Sequence, residues 1–161
     1  MYGKKYSFRE YPDVGTLGIG VVGEALTDLH FRASRDWPGE YEEEETALHR
    51  EVFRQLDEYF SGARKAFDLP LAPSGTDFQL KCWNALLDIP YGQTRSYGDI
   101  ARAVGSPKGF RAVGMANNRN PIAIIIPCHR VVGSDGRLVG FGGGLDVKAW
   151  LLGLEFANAG N

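Results

Sequence analysis

The sequence predicts an α/β N-terminal domain over residues 1–75 followed by a mainly helical C-terminal domain over residues 76–161. Three observations carry this reading. Short apolar runs broken by glycine fill residues 15–31, apolar residues at helical spacing follow from Leu48 to Phe60, and the stretch LPLAPSG at residues 69–75 separates two halves of opposite charge. The first 75 residues hold nine Lys or Arg against fourteen Asp or Glu, whereas residues 76–161 hold nine against six. An overall charge of −2 therefore hides a basic half that could face phosphate. A length of 161 residues with 43% hydrophobic and 24% charged side chains suits one domain or two small ones, with a core that needs no staples.

In GTLGIGVVGEALTDLHF, residues 15–31, two strands join as a hairpin at Gly23 and Glu24. The acidic run Glu42–Glu45 reads as a solvated loop or a helix entrance. Leu48, Val52, Leu56, Tyr59 and Phe60 then line one face of a helix that Gly62 stops, a spacing that serves packing. Thr76 caps the next helix, in which Phe78, Leu80, Trp83, Leu86 and Leu87 keep helical spacing until Pro90, and Tyr91 and Gly92 turn the chain. Ser96 with Asp99 three residues on makes an approximate capping box for a short helix. Ser106–Gly109 is a tight turn containing Pro107, and Phe110–Asn118 is a second helix, so this stretch is a helix-turn-helix candidate or an ordinary helical corner.

The stretch NPIAIIIPCHRVV, residues 120–132, carries the chemistry. Its run Ile122–Ile126 is too short to cross a membrane and suits a buried extended segment, which Pro127 ends. This segment delivers Cys128, with His129 as the next residue. A thiolate is a soft, strong nucleophile for a saturated carbon, whereas a serine alkoxide is hard to form near neutral pH. Adjacent strand residues point to opposite faces, so His129 need not touch Cys128 directly, and a water could relay the proton. The competing reading of Cys128 is a small buried hydrophobe, and Cys82, inside an apolar helix beside Trp83, is read that way. These two cysteines form no Cys-x-x-Cys pair, and His30, His49 and His129 are scattered, so neither a disulfide nor a metal is expected. No run of about eighteen apolar residues occurs, and no apolar segment follows Lys4 and Lys5, which predicts a cytoplasmic chain.

The run PCHRV, preceded by RAVGMANNRNPIAIII and followed by GFGGGLDVKAWLLGLE, resembles the O6-alkylguanine-DNA alkyltransferase family over about residues 76–155. The first 75 residues resemble the family's variable N-terminal domain only loosely. The resemblance implies a ribonuclease H-like α/β N-terminal domain and a helical C-terminal domain with a winged helix-turn-helix. It also implies irreversible, single-turnover transfer of an alkyl group from O6-alkylguanine in duplex DNA, and secondarily from O4-alkylthymine, to Cys128. In that scheme His129 is the base acting through a water, Glu155 the carboxylate that orients His129, and Asn120 the hinge residue bonding the turn that presents the cysteine. Without the resemblance, Glu155 reads as a solvated residue near a helix end.

The same resemblance makes residues 110–118 a recognition helix for the minor groove, with Arg111 entering where the target base has left. Tyr97 would help swing the nucleotide out and contact the guanine, while Ala112, Gly114 and Ala116 would let the helix approach the backbone closely, or equally serve tight helix packing. The loop 140–144 would close over the guanine, the carbonyls of Cys128 and Val131 receiving its exocyclic amine and the amide of Gly142 donating to O6. Phe141 and Gly142 stand where some relatives have Tyr and Ser, and the N-terminal cysteines through which some animal relatives bind zinc are lacking here. The implied partner is duplex DNA carrying O6-alkylguanine, met by a monomer with no cofactor and no membrane. Three other readings stand beside this one. A non-catalytic reader of alkylated DNA is opposed by Cys128, a cysteine hydrolase would not need the Arg111 helix or the glycine loop, and a transcription regulator would not need the cysteine.

Overall fold

A computed structural model describes residues 3–31 and 41–160. Three strands, β1 (Lys5–Tyr11), β2 (Gly15–Val22) and β3 (Ala25–Phe31), form an antiparallel meander, and the two-residue β4 (Glu42–Glu43) adds in parallel to β1, giving the order β3-β2-β1-β4. The turn between β2 and β3 lies at Gly23 and Glu24 as expected, with Gly23 at a φ of 59° that tight hairpins require. Leu17, Ile19 and Val21 of β2 alternate into the core, where helix α1 (Ala47–Phe60) meets them with Val52, Phe53, Leu56 and Tyr59. Thr46 caps α1, and His49 returns the bond to the Thr46 amide. The acidic run remains exposed, but Glu42 and Glu43 form β4 and not a loop, because the outer edge of β1 offers them free hydrogen-bonding groups.

Beyond residue 75 the chain forms α2 (Asp77–Leu87), β5 (Arg95–Ser96), α3 (Tyr97–Ala103), α4 (Phe110–Asn118), β6 (Val131–Val132) and α5 (Leu145–Asn158). Both capping boxes form with both bonds: Thr76 with Gln79 on α2, and Ser96 with Asp99 on α3. Helix α2 stops at Leu87, three residues short of Pro90. Helices α2, α3 and α4 pack on one another, and β5 pairs in parallel with β6 beside them. Trp83 of α2 donates its indole N–H to the Ala116 carbonyl at 2.9 Å, fixing α4 from the inside. Trp83→Phe removes this bond and part of the buried ring, and is expected to lower stability by about 2 kcal/mol in urea denaturation.

The two halves share one core. Strand β3 is a sheet edge, and both the chain after α1 and the chain before Cys128 use it. The Leu26 amide donates to Pro70 and the Leu29 amide to Pro121, each at 2.8 Å, while Ala72 and Ala123 donate back to the carbonyls of Leu26 and Leu29 at 2.8 and 3.1 Å. The N-terminal sheet is thereby hydrogen-bonded to the segment that carries the cysteine. No helix of the described residues is long and apolar enough to cross a membrane.

Candidate active site around Cys128

The apolar run Ile122–Ile126 is buried, as the sequence suggests, but it is not an extended segment. Only Ile122 bridges β3, after which the chain coils through a turn in which Ile124 takes a φ of 70°. A β-branched side chain in the left-handed region carries strain of about 1–3 kcal/mol, so the surroundings must hold it there. Asn120 does so: its Nδ2 donates to the Ile126 carbonyl at 2.8 Å and its Oδ1 accepts from the Ile122 amide at 3.0 Å. The turn closes further where the Ile126 amide donates to Ile122 at 3.0 Å. Cys128 and His129 then open a one-turn 3-10 helix, Cys128–Arg130, and not a strand. The opposite-faces argument for their separation therefore does not apply; their relation is set by a helical turn.

Cys128 is buried, and burial pushes its thiol up, while the Asn120 side-chain amide and the charge of Lys148 favour the ionised sulfur. His129 is fully buried, and burial holds its ring down, in opposition to Glu155. Both groups are thus neutral at rest. Glu155 lies on α5 with no exposed surface, which overturns the solvated reading of that position. Burial opposes its charge, yet the hydrogen bonds of His129 and Arg130, with the Arg130 guanidinium charge, hold its carboxyl down at about 2. An ionised carboxylate can only accept, so the 2.7 Å contact between His129 Nε2 and Glu155 Oε2 places the ring proton on Nε2. The basic nitrogen is then Nδ1, which is buried and has no hydrogen-bond partner among the described residues.

Glu155 is held from several directions. Arg130 donates from Nε to Oε1 at 2.7 Å and from Nη2 to Oε2 at 3.0 Å, and its third nitrogen reaches the Ile89 carbonyl at 2.7 Å. The Gly92 amide donates to Oε1 at 3.3 Å and the Tyr59 hydroxyl to Oε2 at 2.5 Å. Gly92 sits at a φ of 79°, and a Cβ there would stand 2.6 Å from the Cβ of Ala159, so glycine is required on two counts.

Cys128 borders a small cleft whose walls include Asn117, Asn120, Phe141 and Gly142 from the C-terminal half and Leu29 and Phe31 from β3. The loop 140–144 rests on the sheet. Phe141 stands edge-on to Phe31 with ring centroids 5.5 Å apart, and a Cβ on Gly143 would come within 3.0 Å of the same ring. Tyr97, at the start of α3, donates its hydroxyl to the Val139 carbonyl at 3.3 Å and lies against Gly114 of α4. Arg111 and Ala112 are exposed on α4, and Gly114 is half-buried, whereas Ala116 is buried and its carbonyl accepts from the Trp83 indole. Val131 is buried in β6, and the Cys128 carbonyl accepts from the Val131 amide and, at 3.3 Å, from Asn117 Nδ2. The structure therefore gathers Cys128, His129, Glu155 and Asn120 into one buried cluster. Gly142 lies on the wall of the Cys128 cleft, Tyr97 beside α4, and Arg111 on the outer face of that helix.

Residues 77–157 match the DNA binding domain of 6-O-methylguanine DNA methyltransferase, and residues 4–73 match its ribonuclease-like domain. The chain belongs to this methyltransferase family. A methylated-DNA--protein-cysteine methyltransferase of Methanosarcina acetivorans is 50% identical over 153 residues, 93% of this chain and 97% of that one. The Mycobacterium leprae methyltransferase is 57% identical over 148 residues, 88% of this chain and 87% of its own. Among solved structures, Mycobacterium tuberculosis OGT in complex with DNA superposes with a TM-score of 0.91 at 44% identity, over 96% of this chain and 94% of that chain. The fold is accordingly a ribonuclease-like α/β domain followed by a helical DNA-binding domain, and the first half, which resembles the family's N-terminal domain only loosely in its motifs, belongs to the same family.

Within this methyltransferase fold, four side chains at the site escaped the sequence reading. Arg130 stands inside PCHRV beside the assigned pair, and its signal was adjacency alone. Lys148, buried on α5 with Nζ donating to the Val139 carbonyl at 2.9 Å, ties that helix to the loop leading to residues 140–144. Nothing in the sequence singles out Asn117 within its helix, and Tyr59 reads as helix packing. Their partners, the Cys128 carbonyl and the Glu155 carboxylate, become visible only after folding.

Proposed function

We propose that this chain repairs alkylated duplex DNA by moving the alkyl group from O6 of guanine to its own Cys128, once per molecule. The observation that carries the reading is a buried thiol next to a neutral imidazole whose free nitrogen, Nδ1, is the basic one because Glu155 fixes the proton on Nε2. With the thiol pushed up and the imidazole held down, the proton leaves sulfur only as the reaction proceeds, and His129 takes it through a water bridging Nδ1 and the thiol. The thiolate attacks the alkyl carbon, the new S–C bond forms as the C–O6 bond breaks, and the guanine keeps that electron pair. The Gly142 amide stabilises O6 as charge develops there, and the carbonyls of Cys128 and Val131 read the exocyclic amine. Since a thioether is inert to water, nothing regenerates the thiol, and no cofactor enters the reaction.

The target base must leave the stack to meet Cys128. Helix α4 is the element proposed to enter the minor groove. Its outer face is exposed, with Arg111 filling the place of the extruded base, Ala112 and Gly114 at the backbone, and Tyr97 turning the nucleotide toward the cleft. The basic second half supports contact with phosphate. The working unit is proposed to be a cytoplasmic monomer divided near residue 75 into the two domains, with O6-alkylguanine preferred over O4-alkylthymine. Arg111→Ala is expected to slow transfer from a duplex on the order of tenfold more than transfer from free O6-benzylguanine, because a free base leaves no gap to fill. Single-turnover rates on both substrates test this, and equal losses would remove Arg111 from base extrusion.

A further inference from the structure

The Glu155 carboxylate is reached by one side chain from far outside its own half. Tyr59, on α1, lies 96 positions before Glu155, has no exposed surface, and donates its hydroxyl to Oε2 at 2.5 Å. The same oxygen accepts from His129 Nε2 at 2.7 Å and Arg130 Nη2 at 3.0 Å. The Tyr59 ring packs among Phe60, Phe67 and Tyr91, with centroids 5.5, 5.2 and 6.2 Å away. A phenylalanine would fill that space equally well. A buried hydroxyl without a partner is destabilising, and this one has a partner that also holds the ring next to the nucleophile. Burial and the Glu155 charge keep the phenol well above its ordinary range, so it stays protonated and remains a donor throughout the working pH range.

We propose that Tyr59 is a positioning residue: its hydroxyl shares Glu155 Oε2 with His129, fixes the carboxylate, and moderates how strongly the carboxylate draws positive charge onto the imidazole. The N-terminal half thereby completes the relay that serves Cys128, an inference that rests on the alkyl-transfer reading for its purpose but not for its geometry. The charged and titratable groups facing this pair are Arg130 from the 3-10 turn, Tyr91 beside Gly92, and Lys148 from α5, which in turn feels Cys128. All remain when the hydroxyl is removed. With one of three donors gone, the negative charge on Oε2 is less shared, the Nε2–H bond to it strengthens, and the imidazolium becomes easier to form.

The experiment is an NMR titration of the His129 ring in the full-length chain, as wild type, Tyr59→Phe and Phe67→Leu, with thermal melting of each. In Tyr59→Phe the Nε2–H proton of His129 is expected to move downfield at neutral pH and the ring midpoint to rise by about one unit. Phe67→Leu, which loosens the packing but keeps the hydroxyl, should lower the melting temperature and leave both His129 signals in place. An unmoved Nε2–H resonance and midpoint in a folded Tyr59→Phe protein would overturn the proposal, as would the same shift in Phe67→Leu. Single-turnover transfer on O6-methylguanine duplex separates the two levels. If His129 shifts as stated and the acid limb of the rate profile moves up with it, both stand; if His129 shifts and the limb does not follow, the hold of Tyr59 on the pair is supported and the relay through His129 is wrong.

Discussion

Cys128→Ser is expected to bring alkyl transfer below detection while lesion-duplex binding persists, and Cys82→Ser is expected to retain transfer. Replacing sulfur by oxygen leaves His129 facing a hydroxyl far less acidic than a thiol, and the resulting nucleophile is hard where the target carbon is soft. The proposed DNA-facing residues Arg111 and Ala112 lie on the exposed side of α4 and do not depend on the sulfur. Cys82 is also buried, but it lies within α2 beside Trp83, and burial pushes its thiol up, opposed only by the Lys81 charge among the described residues. Single-turnover assays paired with fluorescence anisotropy on the same duplex check both halves of the statement. Loss of transfer in Cys82→Ser with a folded protein would reverse the assignment of the nucleophile.

Glu155→Gln is expected to damage stability and chemistry together. Arg130 is buried and makes two of its three nitrogen contacts with this carboxylate, so a neutral amide leaves a guanidinium without its counter-charge, at a loss of about 3–5 kcal/mol. A Gln amide can also donate to His129 Nε2, which would turn the tautomer over and point a protonated Nδ1 at the thiol. Transfer should then fall by about 10²–10⁴-fold at neutral pH. The stability difference depends on pH in a definite sense. Glu155 titrates near 4.5 when unperturbed and at about 2 in the fold, so its contribution is complete above the higher value and disappears as pH falls through the lower one. Urea denaturation should therefore show wild type well above Glu155→Gln at pH 7, with the gap narrowing as pH falls from about 4.5 toward 2.

Much of this site was legible in the chain because its local signals are strong. Ser96 with Asp99 announces α3, Thr76 with the spacing of Phe78 to Leu87 announces α2, and PCHRV with the glycine loop carries the family resemblance. What stayed hidden has physical reasons. Strand β1 reads KYSFREY, and its charges obscure Tyr6, which is fully buried. A run of isoleucines looks the same whether extended or coiled, so the left-handed Ile124 and the turn that Asn120 clasps could not be read from apolarity. Ala116 suited a DNA-facing helix and tight packing equally in the sequence, and its burial on α4 favours packing. Tyr59 appeared as one apolar position of α1, and its hydroxyl acquires meaning only when folding brings Glu155 to it.

The most direct test of the central claim is the intact mass of the full chain after incubation with a duplex containing one O6-methylguanine, followed by peptide mapping. The predicted result is a single added methyl group per protein molecule, located on Cys128, with restored guanine equal in amount to methylated protein. A methyl group on Cys82, no adduct on a folded protein, or guanine restored in excess of the protein present would contradict it.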